Sequence, residues 1–221
     1  MAPRVDLKKG ESKSHIAKAL KSIRDGYVIV APAEHGYIYL ADAFSHFAVR
    51  AMHVLRGDEL GVSAQVLCYS TQTVLGITRD VPADAQLLMD EFWPGLLSLN
   101  LAPNRGVNWD LGDDNSLDLI SIRVPKSRFL RALLKESGPL AAASAAPAGD
   151  APMRTIDRSA IKGWDVATVF DNGALKAGQP TTVIEQRDDG LHIVREGAIS
   201  AAHVRKIAPS VSGQSQSAKN Y

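Results

Sequence analysis

The sequence is short of several features, and each shortage excludes a class of protein. It has a single cysteine, so no disulfide can form within the chain. The formal net charge is only +1, which gives no overall attraction to nucleic acid. No apolar run approaches the ~18 residues that a membrane-spanning helix needs, and the N-terminus lacks the apolar stretch of a signal peptide. We therefore expect a cytoplasmic protein that does not contact the membrane.

The composition that remains is typical of one folded domain. The chain has 221 residues, of which 45% are hydrophobic and 22% charged. Its interior contains no stretch of Pro, Gly and Ser that would act as a linker. We predict a single domain over residues 1–207, followed by a C-terminal tail over 208–221 that is polar and disordered. The alternative for this tail is an arm that becomes ordered against a partner.

Hydrophobic periodicity predicts alternating helices and strands. Helices are expected after Ser12 and Ser14, over 45–55 and 82–92, after Ser127 as the cap, and over 200–207. Strands are expected over 27–31, 64–69, 96–101, 117–124, 140–143, 166–170, 181–185 and 191–194. Many strands in the second half follow one another without a helix between them. The pattern therefore indicates an α/β domain with a mixed, twisted sheet and flanking helices.

Seven segments of the chain form a recognisable series of motifs. They are Gly26–Tyr37 with Asp42 and Ala43, Phe92–Leu99, Ile122–Pro125, Pro139–Gly149, Asp171–Gly173, Thr181–Val183 and Val194–Gly197. In this order and spacing, they resemble the YrdC-like family of threonylcarbamoyl-AMP synthases, and Trp109–Asp113 is similar to a segment of actinobacterial members. The resemblance extends over about residues 15–207. It implies the YrdC-like fold, with a concave central pocket.

The resemblance also implies a reaction and its residues. Family members combine ATP, L-threonine and bicarbonate into threonylcarbamoyl-AMP and pyrophosphate for tRNA modification, with magnesium arriving on the ATP. The matching nucleotide-binding positions are Arg56, Ser144 and Arg195. The matching substrate-binding positions are Ala33, His35, Tyr37, Arg123 and Thr181.

Several of these positions depart from the family pattern. The family's K-x-R pair falls on Arg56 and Asp58, and its S-x-N signature falls on Ser144 and Ala146. At 4 Å and an effective dielectric near 20, two unit charges interact by ~4 kcal/mol, so a carboxylate in place of a guanidinium should oppose a triphosphate. Alanine at 146 cannot make an amide's hydrogen bonds. We therefore expect a degenerate pocket in which ATP binds weakly.

Other candidate groups remain open to two interpretations. His35 replaces a threonine of the family motif, and is either a new acid or base or an ordinary polar loop residue. His46 and His53 are seven residues apart rather than four, and no cysteine has ligand spacing, so we expect no zinc or other intrinsic metal. Cys68 lies in an apolar run and is predicted to be a buried strand thiol.

Two functions follow from these residues. The first is a non-catalytic or altered-ligand paralogue that binds nucleotide or RNA, such as tRNA, rRNA or the ribosome. Double-stranded RNA binding is associated with the family, and a basic surface for it is expected from Arg50, Arg56, Lys126, Arg128 and Arg131. The second is an active threonylcarbamoyl-AMP synthase, a nucleotidyltransferase with a rearranged pocket. The sequence does not determine the oligomeric state.

Overall fold

A computed structural model describes residues 2–114, 116, 118–156, 161 and 166–213 of the chain. In this part of the chain, no helix is both long enough and apolar enough to cross a membrane.

The described residues form ten strands and six helices. The strands are β1 (Arg4–Asp6), β2 (Val28–Pro32), β3 (Tyr37–Asp42), β4 (Gln65–Leu67), β5 (Leu97–Leu101), β6 (Ile120–Arg123), β7 (Leu140–Ser144), β8 (Val166–Asp171), β9 (Thr182–Arg187) and β10 (Gly190–Arg195). The helices are α1 (Ser12–Arg24), α2 (His46–Arg56), α3 (Thr71–Ile77), α4 (Ala83–Phe92), α5 (Arg128–Ser137) and α6 (Ala201–Ile207).

All ten strands belong to one mixed sheet, in the order β1-β8-β2-β3-β7-β4-β6-β5-β9-β10. Four neighbouring pairs are parallel, namely β1/β8, β2/β8, β4/β6 and β5/β9. The remaining pairs are antiparallel. The predicted mixed α/β fold in a single domain is therefore confirmed.

The two faces of the sheet are covered to different extents. On one face α2, α4 and α6 bury a large apolar core that runs from β2 to β10. On the other face α1 and α5 bury a smaller core with Ile29, Leu40, Leu140 and Phe170, near one end of the strand order. Beyond this smaller core, part of the second face over β7, β4 and β6 is open.

Most expected elements are present, and the differences have local reasons. The sequence reading missed β1, which has three residues; β3, which lies within the first motif; and α3, which has seven residues including Gly76. Ser127 precedes α5 as expected, but its hydroxyl donates to the Pro32 carbonyl (3.2 Å) instead of capping the helix. The expected start of the sixth strand at residue 117 lies outside the described residues.

The C-terminal end of the domain extends past residue 207. Ala208 and Val211 are buried, and Ser212 forms backbone hydrogen bonds of 2.9 Å with Leu191 and Ile193 of β10. Three of the first six residues of the predicted tail, Ala208, Val211 and Ser212, therefore contact the rest of the domain, and residues 214–221 lie outside the described residues.

Candidate functional site

The open part of the second face contains a cavity of about 330 Å³, which we call the cleft. Its floor is formed by Gln65 of β4, Ala142 and Ser144 of β7, and Arg123 at the end of β6. Gln65 donates to Ser98 (2.9 Å) and contacts the Ser121 hydroxyl (3.3 Å), so polar side chains replace the apolar ones that α1 and α5 cover elsewhere. The cleft is thus a polar interruption of one sheet face.

One rim of the cleft is formed by the end of α2. Gly57 adopts the left-handed conformation (φ 70°), and the amides of Gly57 and Asp58 donate to the carbonyls of Val54 and His53. This is the hydrogen-bond pattern of a Schellman motif, for which glycine is the favoured residue. The motif turns the chain back, so that the Asp58 side chain meets residues of the last helical turn.

Asp58 lines the cleft, as the motif comparison predicted, but its charge is not free. One carboxylate oxygen lies 2.7 Å from His53 Nδ1, and the other lies 3.2 Å from Arg56 Nε. The Asp58 side chain is only 3% exposed. The other ring nitrogen of His53 lies 2.9 Å from the Leu111 carbonyl. Because a carboxylate and a carbonyl are both acceptors, only the imidazolium form of His53 donates to both.

The expected effect of Asp58 therefore needs revision. We expected an uncompensated carboxylate that repels a triphosphate. Instead, Asp58 forms a compact group with Arg56 and His53 that has two potential cations for one anion. Arg56 is thus already paired with a carboxylate and is less available to a ligand. The Arg56–Asp58 contact lacks hydrogen-bond geometry, which leaves the buried Nε of Arg56 without an acceptor among the described residues.

Arg123 is engaged by a second buried carboxylate. Its Nη1 donates to Glu34 Oε2 at 2.8 Å, and the two side chains are 6% and 12% exposed. The other Glu34 oxygen accepts from the Lys126 amide at 2.6 Å. Burial alone would raise the pKa of Glu34, but the Arg123 charge and these hydrogen bonds hold the pKa below its ordinary 4.5. Arg123 Nε is buried without an acceptor in the described part of the chain.

Arg195 and Thr181 form the opposite rim of the cleft. Arg195 Nη2 donates to the Thr181 hydroxyl at 2.7 Å, and its Nε donates to the Thr181 carbonyl at 3.1 Å. Burial lowers the pKa of Arg195 from its ordinary 12.5. Both partners of this guanidinium are neutral, so Arg195 keeps its full positive charge beside the cleft.

The structure also locates the S-x-N signature. The Ser144 hydroxyl lines the cleft and accepts from the Ala146 amide at 3.2 Å. Ala146 is buried (3% exposed), so a methyl group inside the protein stands where the family pattern has an amide.

Two of the five predicted substrate-binding residues lie beside a different cavity. Ala33 and His35 line a space of about 930 Å³ between the first turns of α1 and α5. We call it the basic cavity because Lys8, Lys126, Arg128 and Lys176 line it. His35 Nδ1 lies 3.2 Å from the Lys176 carbonyl, and a Cβ at Gly178 would lie 2.3 Å from the ring, so close backbone approach holds the imidazole in place.

Tyr37 is fully buried and lines neither cavity. Its hydroxyl lies 2.7 Å from both Asp171 Oδ1 and the Gly173 carbonyl, and accepts from the Asn172 amide at 2.9 Å. In this structure it fixes the loop after β8, and contact with a substrate stays a prediction.

The five residues of the expected RNA surface are distributed over several sites. Arg56 lines the cleft, Arg50 lines a third cavity beside α2, and Lys126 and Arg128 line the basic cavity. Arg131 lies over the Tyr69 ring at 5.0 Å.

Sequence reasoning missed the roles of two residues, one in the cleft and one that contacts a cleft arginine from the basic cavity. Glu34 was recognised as a motif residue but not as the partner of Arg123, which is 89 residues away. His53 was considered only as a metal ligand. Its pairing with Asp58 had a local signal, since Gly57 follows the helix at the position that folds the next residue back. Among the described residues, no group of three or more His, Cys, Asp and Glu side chains could hold a metal ion.

Comparison with known proteins gives consistent results. The Sua5/YciO/YrdC family model, described as "Telomere recombination", matches residues 21–197. A Mycobacterium leprae protein provisionally named threonylcarbamoyl-AMP synthase is 30% identical over 193 residues, which are 87% of each chain. The Bacillus subtilis threonylcarbamoyl-AMP synthase is 29% identical over 195 residues, or 87% of this chain and 56% of that protein.

Solved structures show the same fold. Sua5 from P. abyssi, in a complex with L-threonine, has a TM-score of 0.83 at 22% identity over 100% of this chain. This chain spans 66% of that protein's length. E. coli YciO has a TM-score of 0.74 at 24% identity, over 89% of this chain and 95% of that one. The match of the family model over most of the domain shows that the chain belongs to the Sua5/YciO/YrdC family, several of whose members carry the name threonylcarbamoyl-AMP synthase.

Proposed function

We propose that the cleft of this protein binds a small anionic ligand and forms threonylcarbamoyl-AMP slowly or not at all. The observation that supports this most directly is the position of Asp58. Its carboxylate lies inside the cleft against Arg56, at the two positions where the family pattern has its phosphate-binding K-x-R pair. A guanidinium that already pairs with a carboxylate has less to offer a phosphate.

The chemistry of the remaining groups supports an anion as the ligand. Arg195 faces the cleft with neutral partners only, and Arg123 has a buried Nε without an acceptor among the described residues. Buried donors without acceptors are rare in folded proteins, so this N–H group favours a ligand with oxygen acceptors. A carboxylate such as that of threonine and a phosphate both have this chemistry.

The same geometry argues against fast transfer at phosphorus. Such catalysis depends on positioned cations that neutralise the charge developing on the phosphates. Here Asp58 and Glu34 each bind one of the cleft arginines, and Ala146 offers no side-chain donor. ATP with magnesium is therefore a weak ligand in this proposal.

The decisive experiment incubates the purified protein with ATP, magnesium, L-threonine and bicarbonate. We expect pyrophosphate release close to background, while the Bacillus subtilis threonylcarbamoyl-AMP synthase provides the positive control. We expect the double variant Asp58→Arg, Ala146→Asn to bind ATP at least tenfold more tightly in calorimetry, because ~1.4 kcal/mol is one tenfold step. Robust release by the wild-type protein would refute the proposal.

An active synthase is the second candidate, and the comparisons are consistent with it. Relatives with that name match 87% of the chain, and Arg123, Ser144, Thr181 and Arg195 gather at one cleft. In that case the wild-type protein turns over in the same assay, and Arg195→Gln abolishes the turnover. RNA binding is a separate proposal, and the scattered positions of the five basic residues support it less than a single patch would. Binding of tRNA that weakens steeply with salt would favour it.

A further inference from the structure

The basic cavity is separate from the cleft and nearly three times its volume, at about 930 Å³ against 330 Å³. Glu34 lines the basic cavity, whereas its partner Arg123 lines the cleft. The buried Glu34–Arg123 pair therefore stands between the two spaces. A cavity of several hundred Å³ has room for a small organic molecule.

Its cationic side chains are unpaired, unlike those of the cleft. Four of them line the cavity: Lys8, Lys126, Arg128 and Lys176. None of the four forms an ion pair within the part of the chain that the structure describes. The single carboxylate in the lining is Glu34, and both of its oxygens already accept hydrogen bonds. Like charges gathered without counterions repel one another, so this arrangement favours a bound anion.

A buried histidine lines the same space without a partner. His15 is 8% exposed, and its ring makes no hydrogen bond within the described residues. Either neutral tautomer of an imidazole carries one N–H donor, and the cationic form carries two. The ring nitrogens of His15 are not fully enclosed, so this donor is open to the cavity. A ligand in the cavity would supply the missing acceptor.

The first turn of α5 adds a third, independent feature. No side chain caps this ten-residue helix, because the Ser127 hydroxyl donates to the Pro32 carbonyl instead. Its first turn contains no acidic residue, and its first residue is Arg128. A cation at the positive end of the helix dipole favours anions nearby, and one of them, the Glu34 carboxylate, already accepts from the Lys126 amide. Free amides at a helix N-terminus are themselves suited to phosphate oxygens.

From these contacts we propose that the basic cavity is a second ligand site, which takes a phosphorylated small molecule. The phosphate binds at the first turn of α5 between Lys126 and Arg128, and His15 donates to the ligand from the far wall. The volume beyond the phosphate accommodates the organic part of the molecule. This site can be tested apart from the cleft, since the residues that line the two spaces are different.

The test uses inorganic pyrophosphate as the probe, at low ionic strength, with the whole chain. Calorimetry measures its affinity for the wild-type protein and for Lys126→Gln, Arg128→Gln. We expect the double variant to bind at least tenfold more weakly, because it lacks two positive charges beside the phosphate. The matched control is Lys135→Gln, which removes an exposed lysine from the last turn of the same helix and should leave the affinity unchanged. The His15 ring resonances should shift on titration in the wild-type protein.

Three results would overturn the proposal. The first is no pyrophosphate binding by the wild-type protein, and the second is equal affinity in the wild-type protein and the double variant. The third is weaker pyrophosphate binding by the Arg195→Gln variant, which would place the probe in the cleft. Binding of a tRNA fragment through Lys126 and Arg128, without any binding of pyrophosphate, would likewise replace the small ligand by RNA. His15→Phe keeps an aromatic ring at this position, and a folded variant should bind pyrophosphate severalfold more weakly.

Discussion

The cleft and the basic cavity both contain arginine or lysine side chains, and they differ in what those side chains already contact. In the cleft, Arg56 and Arg123 each pair with a buried carboxylate, and Arg195 contacts a threonine. In the basic cavity the four cations have no ionic partner among the described residues. Similar residue types thus give a nearly compensated site and an uncompensated one, which shows that the partners of a charge decide what it offers a ligand.

The largest effect is expected when one of the cleft arginines loses its carboxylate partner. Glu34→Ala leaves the Arg123 guanidinium buried and unpaired, and breaking a buried pair in this way typically costs about 3–5 kcal/mol. We expect a loss of this size in the free energy of unfolding, measured with urea. The control is Asp25→Ala, whose partner Lys21 is exposed (77%), and there the loss should be far smaller. If the loss in Glu34→Ala were as small as in the control, the Glu34–Arg123 pair would contribute little to the stability of the fold.

A smaller effect is expected when the cleft is made to resemble the basic cavity. Asp58→Asn removes one negative charge and frees Arg56 and His53, so ATP affinity should rise by about tenfold, or ~1.4 kcal/mol. Calorimetry measures the change. Asp80→Asn, which removes an exposed carboxylate that pairs with Arg79 away from the cleft, should leave ATP affinity as it is. An unchanged affinity in Asp58→Asn would show that the cleft does not bind the phosphates near Arg56.

The smallest expected effect is a change in stability at low pH, where the Glu34 carboxylate that pairs with Arg123 becomes protonated. The pKa of Glu34 is lower in the folded protein than its ordinary 4.5, so the ionised form stabilises the fold. This contribution is fully present above pH 4.5 and is lost as the pH falls through the lowered pKa. Glu34→Gln has no carboxylate at this position, so its stability does not depend on this protonation. The difference in the free energy of unfolding between the variant and the wild-type protein should therefore narrow below pH 4.5. Unfolding curves from pH 6 to pH 3 measure it, with the exposed Glu91→Gln as the control.

Much of the fold could be predicted from the sequence because its signals are local. The leucines of α5 and the isoleucines of α1 recur at helical spacing, and β2 is a short apolar run closed by Pro32. The order of the strands could not be predicted in this way. It places β8 between β1 and β2, which requires contacts between residues about 165 positions apart, such as Arg4 and Val169.

The candidate site could also be predicted only in part. The motif positions of Arg56, Asp58, Arg123, Ser144, Thr181 and Arg195 led to one cleft, since family spacing carries three-dimensional information. Motif spacing does not show whether each of these charges is paired, because pairing depends on contacts between distant residues, such as Glu34 with Arg123. Ala33 and His35 were also expected to bind substrate; they lie at the basic cavity, and their contact with a substrate stays a prediction. Their neighbour Glu34, in the same turn between β2 and β3, lines this cavity too and reaches Arg123 with its carboxylate.

The position of Glu34 in the wall shared by the two spaces has a thermodynamic consequence. Its two oxygens tie Arg123 of one site to the Lys126 amide of the other. Any occupant that draws Arg123 away from Glu34 changes the charge presented on the far side of the wall. By linkage, an occupant of that far side must alter the affinity of the first site by the same factor, so the two sites would be reciprocally coupled without any large movement of the chain.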